Sequence, residues 1–169
     1  MLENISAVKL RPATIEDVET IFDLIQALAE YEKLSHQVVG TTEQLKEHLF
    51  GQRPYAEVIL AESNSKVVGF VLFFHNYSTF LTQPGIYLED LFVLAEYRRK
   101  GIGKALIAAV AKLAIARNCG RLEWSVLDWN QPSIDFYRRM GADILTQWLT
   151  CRVTDTALIQ LSQEDSVIQ

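Results

Sequence analysis

Apolar residues recur at helical spacing at Ile15, Val18, Ile21, Phe22, Ile25, Leu28 and Ala29. This stripe predicts an amphipathic helix, with Thr14 as its cap and Asp17 three residues on as a weak capping box. Residues 7–10 read as a short strand before it, ended by Arg11-Pro12. A second short helix is predicted with Thr42 as its cap, running through Leu45 and Leu49 and stopped by Gly51 and Pro54. Residues 58–61 and 67–74 are apolar and rich in β-branched and aromatic side chains, and Ser63-Asn64-Ser65 between them predicts a hairpin. Residues 87–93 read as a further strand, and residues 102–118 as a long helix followed by Gly120. Another strand is expected over residues 122–126. Asn130 ahead of Gln131-Pro132-Ser133 suits a helix start, and Gly141 a helix end. Residues 144–153 are expected to form one or two closing strands, and residues 154–162 a last short helix.

Strand, two helices, a β-meander, helix, strand, helix and closing strands make an α+β layer fold with a mixed sheet. The 169 residues fit one domain, 1–169, and no linker or repeat divides them. With 49% hydrophobic and 22% charged residues the chain can bury a core, which argues against disorder. No apolar run approaches the ~18 residues that span a bilayer, so no membrane association is expected. The first residues lack the basic-then-apolar layout of a secretory leader, so a cytoplasmic location is expected. Cys119 and Cys151 have no metal or redox spacing, and His36, His48 and His75 are scattered, so no metal site is expected. The net charge of −5 argues against a nucleic-acid partner and permits a cationic substrate.

Residues 88–104, LEDLFVLAEYRRKGIGK, carry the chemistry. An apolar strand passes through a basic loop with two glycines into an apolar helix. Gly101 and Gly103 let backbone amides approach an anion, and the helix start adds unpaired N–H groups and a positive dipole end. Arg98, Arg99, Lys100 and Lys104 add positive charge. A kinase-type P-loop is absent, and Leu106 stands where a dinucleotide fingerprint needs its third glycine. A plain loop-to-helix turn explains the glycines but not the four basic residues beside them.

Arg98-Arg99-Lys100-Gly101-Ile102-Gly103 resembles the acetyl-CoA pyrophosphate loop of the GNAT superfamily of N-acetyltransferases. Trp129-Asn130-Gln131-Pro132-Ser133-Ile134-Asp135-Phe136-Tyr137 resembles a segment of its diamine acetyltransferase branch, which includes the spermidine/spermine and thialysine acetyltransferases. Tyr87-Leu88-Glu89-Asp90, Arg11-Pro12-Ala13-Thr14 and Ala29-Glu30-Tyr31-Glu32 resemble it too, so the likeness runs from about Lys9 to Trp148. The resemblance implies a GNAT fold, with a mixed central sheet of about seven strands flanked by about four to five helices. It also implies acetyl-CoA as co-substrate and a homodimer. By the same resemblance Leu91, Phe92 and Val93 pair with the pantetheine arm, and Arg98, Arg99, Lys100, Gly101, Ile102, Gly103 and Lys104 hold the diphosphate. Asn130 and Ser133 touch the cofactor or cap their helix, or both.

The expected reaction is direct attack of a small-molecule primary amine on the thioester, with no covalent enzyme intermediate. An alkylamine has a free pKa of about 10.4 and must first lose a proton. Glu89 is the candidate base, acting through water, and its other reading is a strand-end salt bridge. Asp90 alternates to the other side and reads as a structural hydrogen-bonding group or a substrate anchor. Tyr137 is the candidate acid for the thiolate by resemblance; from the sequence alone it reads as a core tyrosine. Tyr31, Glu32, Glu89 and Asp90 are the candidate amine contacts. Residues 142–147 carry one acid, Asp143, which argues against long polyamines. Acetylation of a protein lysine or N-terminus, and a non-catalytic acyl-CoA-binding module, are the competing readings.

Overall fold

The structure is a computed structural model that describes residues 8–164; Ala7, where the first strand was expected to begin, and the residues before it in the segment read for a leader lie outside the described residues. The chain divides into two compact units, Met1–Ser125 and Val126–Gln169. The first holds a five-stranded sheet in the order β1 (Lys9–Pro12), β2 (Glu57–Ser63), β3 (Lys66–Ser78), β4 (Gln83–Val93), β5 (Leu122–Trp124). Neighbours are antiparallel except β4 and β5, which run parallel. Its helices are α1 (Val18–Tyr31), α2 (Thr42–Phe50) and α3 (Ile102–Ala116). The second unit holds α4 (Gln131–Arg139) and α5 (Asp155–Ser162). No helix among the described residues is long and apolar enough to cross a membrane.

Arg11 fastens β1 to its surroundings. Its Nε donates to Glu62 at 2.6 Å, and its two terminal nitrogens donate to the Asp17 carboxylate at 2.7 and 2.8 Å. Asp17 also accepts the Thr14 N–H at 2.7 Å, so it closes the first helical turn as the spacing suggested. Hydrogen bonds from Arg11 hold this carboxyl down at about 2. The turn itself is a 3-10 turn, Ile15–Asp17, and the α-helix proper begins at Val18.

Most of the predicted stripe faces inward, although Ile15 is exposed and Leu24, outside the predicted set, is buried. Ile21, Leu24 and Leu28 join Leu49 of α2 and Val58, Leu60, Phe70 and Phe92 of the sheet in one buried cluster. Val68, Phe70 and Val71 are all fully buried, and neighbouring strand residues face opposite ways, so both sides of β3 are covered. α3 packs on β3 and β4, and it buries Ile102, Leu106 and Val110.

Three expectations need correction. The cap of α2 is Thr41, not Thr42: Thr41 accepts from the Gln44 N–H at 3.2 Å while Gln44 accepts from the Thr41 N–H at 3.1 Å. Two adjacent threonines made the sequence ambiguous, and Thr41 is the one standing three residues before a Gln. Among the described residues the sheet has five strands rather than about seven. Residues 144–153 form turns and irregular chain, with Leu145, Trp148, Leu149 and Val153 exposed. A strand exists where a neighbouring strand takes up its main-chain groups, and apolar composition does not supply that neighbour.

Candidate active site

The register of β3 against β4 breaks once. Asp90 pairs with Leu72 and Leu88 with Phe73, which leaves Glu89 as the extra residue of a β-bulge. Unbroken alternation would line Asp90 up with Ile86 and Leu88, both buried. The bulge instead puts Asp90 opposite Leu72, on the face of Phe70 and Phe92 that α1 and α2 cover. Glu89 is exposed and Asp90 half-buried. Burial first, and then the charges of Glu89 and Glu32, push the Asp90 carboxyl up to about 6. Burial also raises the carboxyl of Glu32, the residue that follows α1. The bulge thus brings acids of β4 into one negative field with an acid at the end of α1. The acids were visible in the sequence; the bulge left no signal except an acid standing at an apolar slot.

The other edge of β4 opens at the same level. β5 pairs with Ile86, Tyr87 and Leu88, and it ends at Trp124, two residues short of the expected strand. Leu91, Phe92 and Val93 are laddered to Val71, Phe70 and Gly69 of β3 on one side and lie beyond the β5 ladder on the other. Alternate main-chain groups of such a segment point away from β3, on the side where an added extended chain would pair.

Beyond β4 the chain makes a 3-10 turn at Ala95–Tyr97 and curls into α3. Arg99 has φ of 62° and Gly101 φ of 81°, so two left-handed residues reverse the backbone just ahead of the helix. A Cβ added at Gly101 would meet nothing within 4 Å, so the backbone there borders open space. Ala105 N–H is bonded back to Gly101 O at 3.0 Å; the N–H groups of the preceding first turn are those that an α-helix leaves without helical partners. Arg99, Lys100 and Lys104 stand around this turn, with Arg99, Lys100 and Lys104 all exposed, whereas Ile102 is buried and anchors it. The arrangement, a helix N-terminus with positive side chains around it, is one that can cradle an anion.

Arg98 is half-buried, unlike the exposed Arg99, Lys100 and Lys104. Its Nε donates to Val93 O at 2.9 Å, and its guanidinium lies 4.4 Å from the Tyr31 ring centre and 5.3 Å from that of Phe92. Its own N–H donates to Ala95 O at 3.2 Å. The sequence spacing gave no hint of the ring contact with Tyr31, which joins segments far apart in the chain.

In the second unit Asn130 is the buried cap of α4, its side chain accepting the Ser133 N–H at 3.4 Å, with Pro132 in the first turn. Tyr137 is buried, its ring centre 5.4 Å from that of Phe136. Gly141, with φ of 88°, ends the helix.

A family model described as "Acetyltransferase (GNAT) family" matches residues 22–142. The chain belongs to this family and is an acetyltransferase. Among curated relatives, a thialysine N-epsilon-acetyltransferase of Bos taurus is 39% identical over 92% of this chain and 97% of its own length. An L-ornithine N5-acetyltransferase of Arabidopsis thaliana is 37% identical over 89% of this chain and 86% of its own length. Among solved structures, an integron cassette protein from the mobile metagenome of V. cholerae has a TM-score of 0.77 at 24% identity, covering 93% of this chain and 98% of that one. That likeness bears on the fold.

Proposed function

We propose that this enzyme transfers the acetyl group of acetyl-CoA to the primary amine of a small cationic molecule: a thialysine-like amino acid, a diamine or a polyamine. The observation that carries the reading is the negative field of Glu32, Glu89 and Asp90 beside the open edge of β4. Desolvation and mutual repulsion make this field unfavourable by itself, and an ammonium group entering it relieves both. The curated relatives support the same reading, since two of them are named for side-chain amines of amino acids. The single acid in residues 142–147 favours the shorter substrates over long polyamines.

The cradle suits a diphosphate, and the open edge of β4 suits an extended arm. In this reading the main chain of residues 99–104, with the side chains of Arg99, Lys100 and Lys104, holds the diphosphate. Leu91, Phe92 and Val93 take the arm, and Asn130 and Ser133 touch it. Acetyl-CoA, when bound, supplies a thioester-activated acetyl group. Tyr31, Glu32 and Asp90 hold the amine, Glu89 collects its proton through water, and Tyr137 donates a proton to the departing sulfur. The reaction so written calls for no metal. We place residues 1–169 in one acetyltransferase domain, because the family match runs from residue 22 through the boundary between the two compact units to residue 142. A cytoplasmic homodimer without nucleic-acid or membrane partners completes the proposal; the exposed Trp148, Leu149, Leu158 and Ile159 support a second copy.

The test is thiol release from acetyl-CoA with thialysine, ornithine, lysine, putrescine, spermidine and a lysine peptide, for the wild type and Tyr137→Phe. Turnover on a free small amine, lowered about 10²-fold in the variant with coenzyme A affinity kept, is the expected outcome. Turnover on the peptide alone would overturn the substrate class. An unaffected variant would remove Tyr137 from the reaction.

A further inference from the structure

We propose that Arg98 is a positioning residue that clamps the end of α1 to the end of β4, so that amine recognition depends on it, and that it is not a diphosphate ligand. The inference rests on the proposed function for its substrate readout and on geometry for its substance. One side chain is held by the Val93 carbonyl, the Tyr31 ring and the Phe92 ring together. Tyr31 is the last residue of α1, and Glu32 follows it directly. Phe92 and Val93 close β4, just beyond Asp90 and on the open edge. The Tyr31 and Phe92 rings are 6.5 Å apart between centres, so they meet at the guanidinium.

The chemistry requires arginine. A guanidinium is planar, presents its faces to rings and still donates in its own plane, whereas an ammonium concentrates its charge at one strongly hydrated point. With rings beside it and its Nε on a carbonyl, Arg98 is turned toward the strand and α1. Arg99, exposed, is the neighbouring side chain left to meet an anion; Lys100, also exposed, stands with its Nζ 5.2 Å from the Tyr97 ring centre. Arg98 therefore ties the place where Glu32 stands to the strand that carries Asp90, and it does so at the entrance of the cradle.

The experiment compares wild type, Arg98→Lys and Arg98→Met with two acetyl donors: acetyl-CoA and S-acetylpantetheine, which has no diphosphate. The clamp predicts that the amine KM rises about tenfold in both variants, by the same factor with either donor, while the coenzyme A affinity changes by less than about threefold. A loss seen with acetyl-CoA and absent with S-acetylpantetheine would make Arg98 a diphosphate ligand and overturn the proposal. So would a wild-type amine KM in Arg98→Lys, because charge alone would then suffice. Hydrogen exchange supplies a readout that needs no turnover. Amides at the end of α1 should lose protection in both variants while the rest of α1 keeps it. Unchanged protection there overturns the clamp even if the wild type acetylates none of the amines tried, an outcome that would sink the proposed function instead.

Discussion

At the scale of single residues, the Asp90 carboxylate works against stability once it is charged. Its folded carboxyl is raised to about 6, so its contribution to stability is fully present below the ordinary aspartate range and is lost as pH rises through 6. At pH 8 the charged, crowded carboxylate destabilises the fold. Asp90→Asn should therefore be more stable than wild type by roughly 1–3 kcal/mol at pH 8 and no more stable at pH 4. Urea unfolding at the two pH values reads this, and a gain of equal size at both would discard the burial argument. The same variant should lose amine affinity. Asp17 has the opposite sign: Arg11 holds its pKa down, so its stabilisation is present at neutral pH and fades as pH falls from about 4 toward 2. Residue chemistry of this kind was legible in the sequence, because acids in an apolar strand and a basic, glycine-rich turn announce themselves by type. The face on which Asp90 stands was not legible. Alternation from Ile86 and Leu88 pointed the other way, and one inserted residue reversed it.

At the scale of elements, the turn from β4 into α3 was readable and the bulge within β4 was not. A turn is set by a few adjacent residues whose backbone preferences are local. A bulge is set by register against another strand. Gly101 separates local strain from ligand approach. Its φ of 81° suits glycine, and Asn tolerates that region better than other residues do. Gly101→Asn should cost less than about 1 kcal/mol of stability, since an added Cβ meets nothing within 4 Å. Coenzyme A affinity should nevertheless fall about tenfold or more, because the new side chain occupies the space where an anion must reach main-chain amides. Calorimetric titration beside chemical denaturation separates the two effects; affinity kept at the wild-type value would mean that the anion binds elsewhere. Element by element, the α1 stripe, the α4 cap at Asn130 and the stop at Gly141 were all written in local pattern. The strands expected over residues 144–153 were not formed, because their pairing depends on a neighbour that a local pattern cannot provide.

At the scale of the whole molecule, the family match over residues 22–142 takes in the basic turn, the Glu89–Asp90 strand and the α4 segment, the same stretches whose residue types pointed to the chemistry. Ligand binding to the native state alone should raise stability by RT ln(1 + [L]/Kd), about 2.7 kcal/mol at 100 times Kd. For a chain of this length coenzyme A at that excess should raise Tm by roughly 5–10 °C. At the same concentration, 3′-phosphoadenosine 5′-diphosphate, which keeps the phosphates and lacks the pantetheine arm, should give a smaller shift if the arm binds β4. Equal shifts from both would show that β4 contributes nothing to binding. The sequence by itself determined the secondary elements with strong periodicity, their order, the family, and the kinds of side chain available for anion and amine. These depend on neighbours within a few positions or on residue type. Tertiary structure decided the Glu89 bulge, the face of Asp90, the five-strand limit of the sheet, and the seat of Arg98 between Tyr31 and Phe92. Each of these depends on contacts between segments distant in the chain, where pairing register and packing, not local preference, choose the outcome.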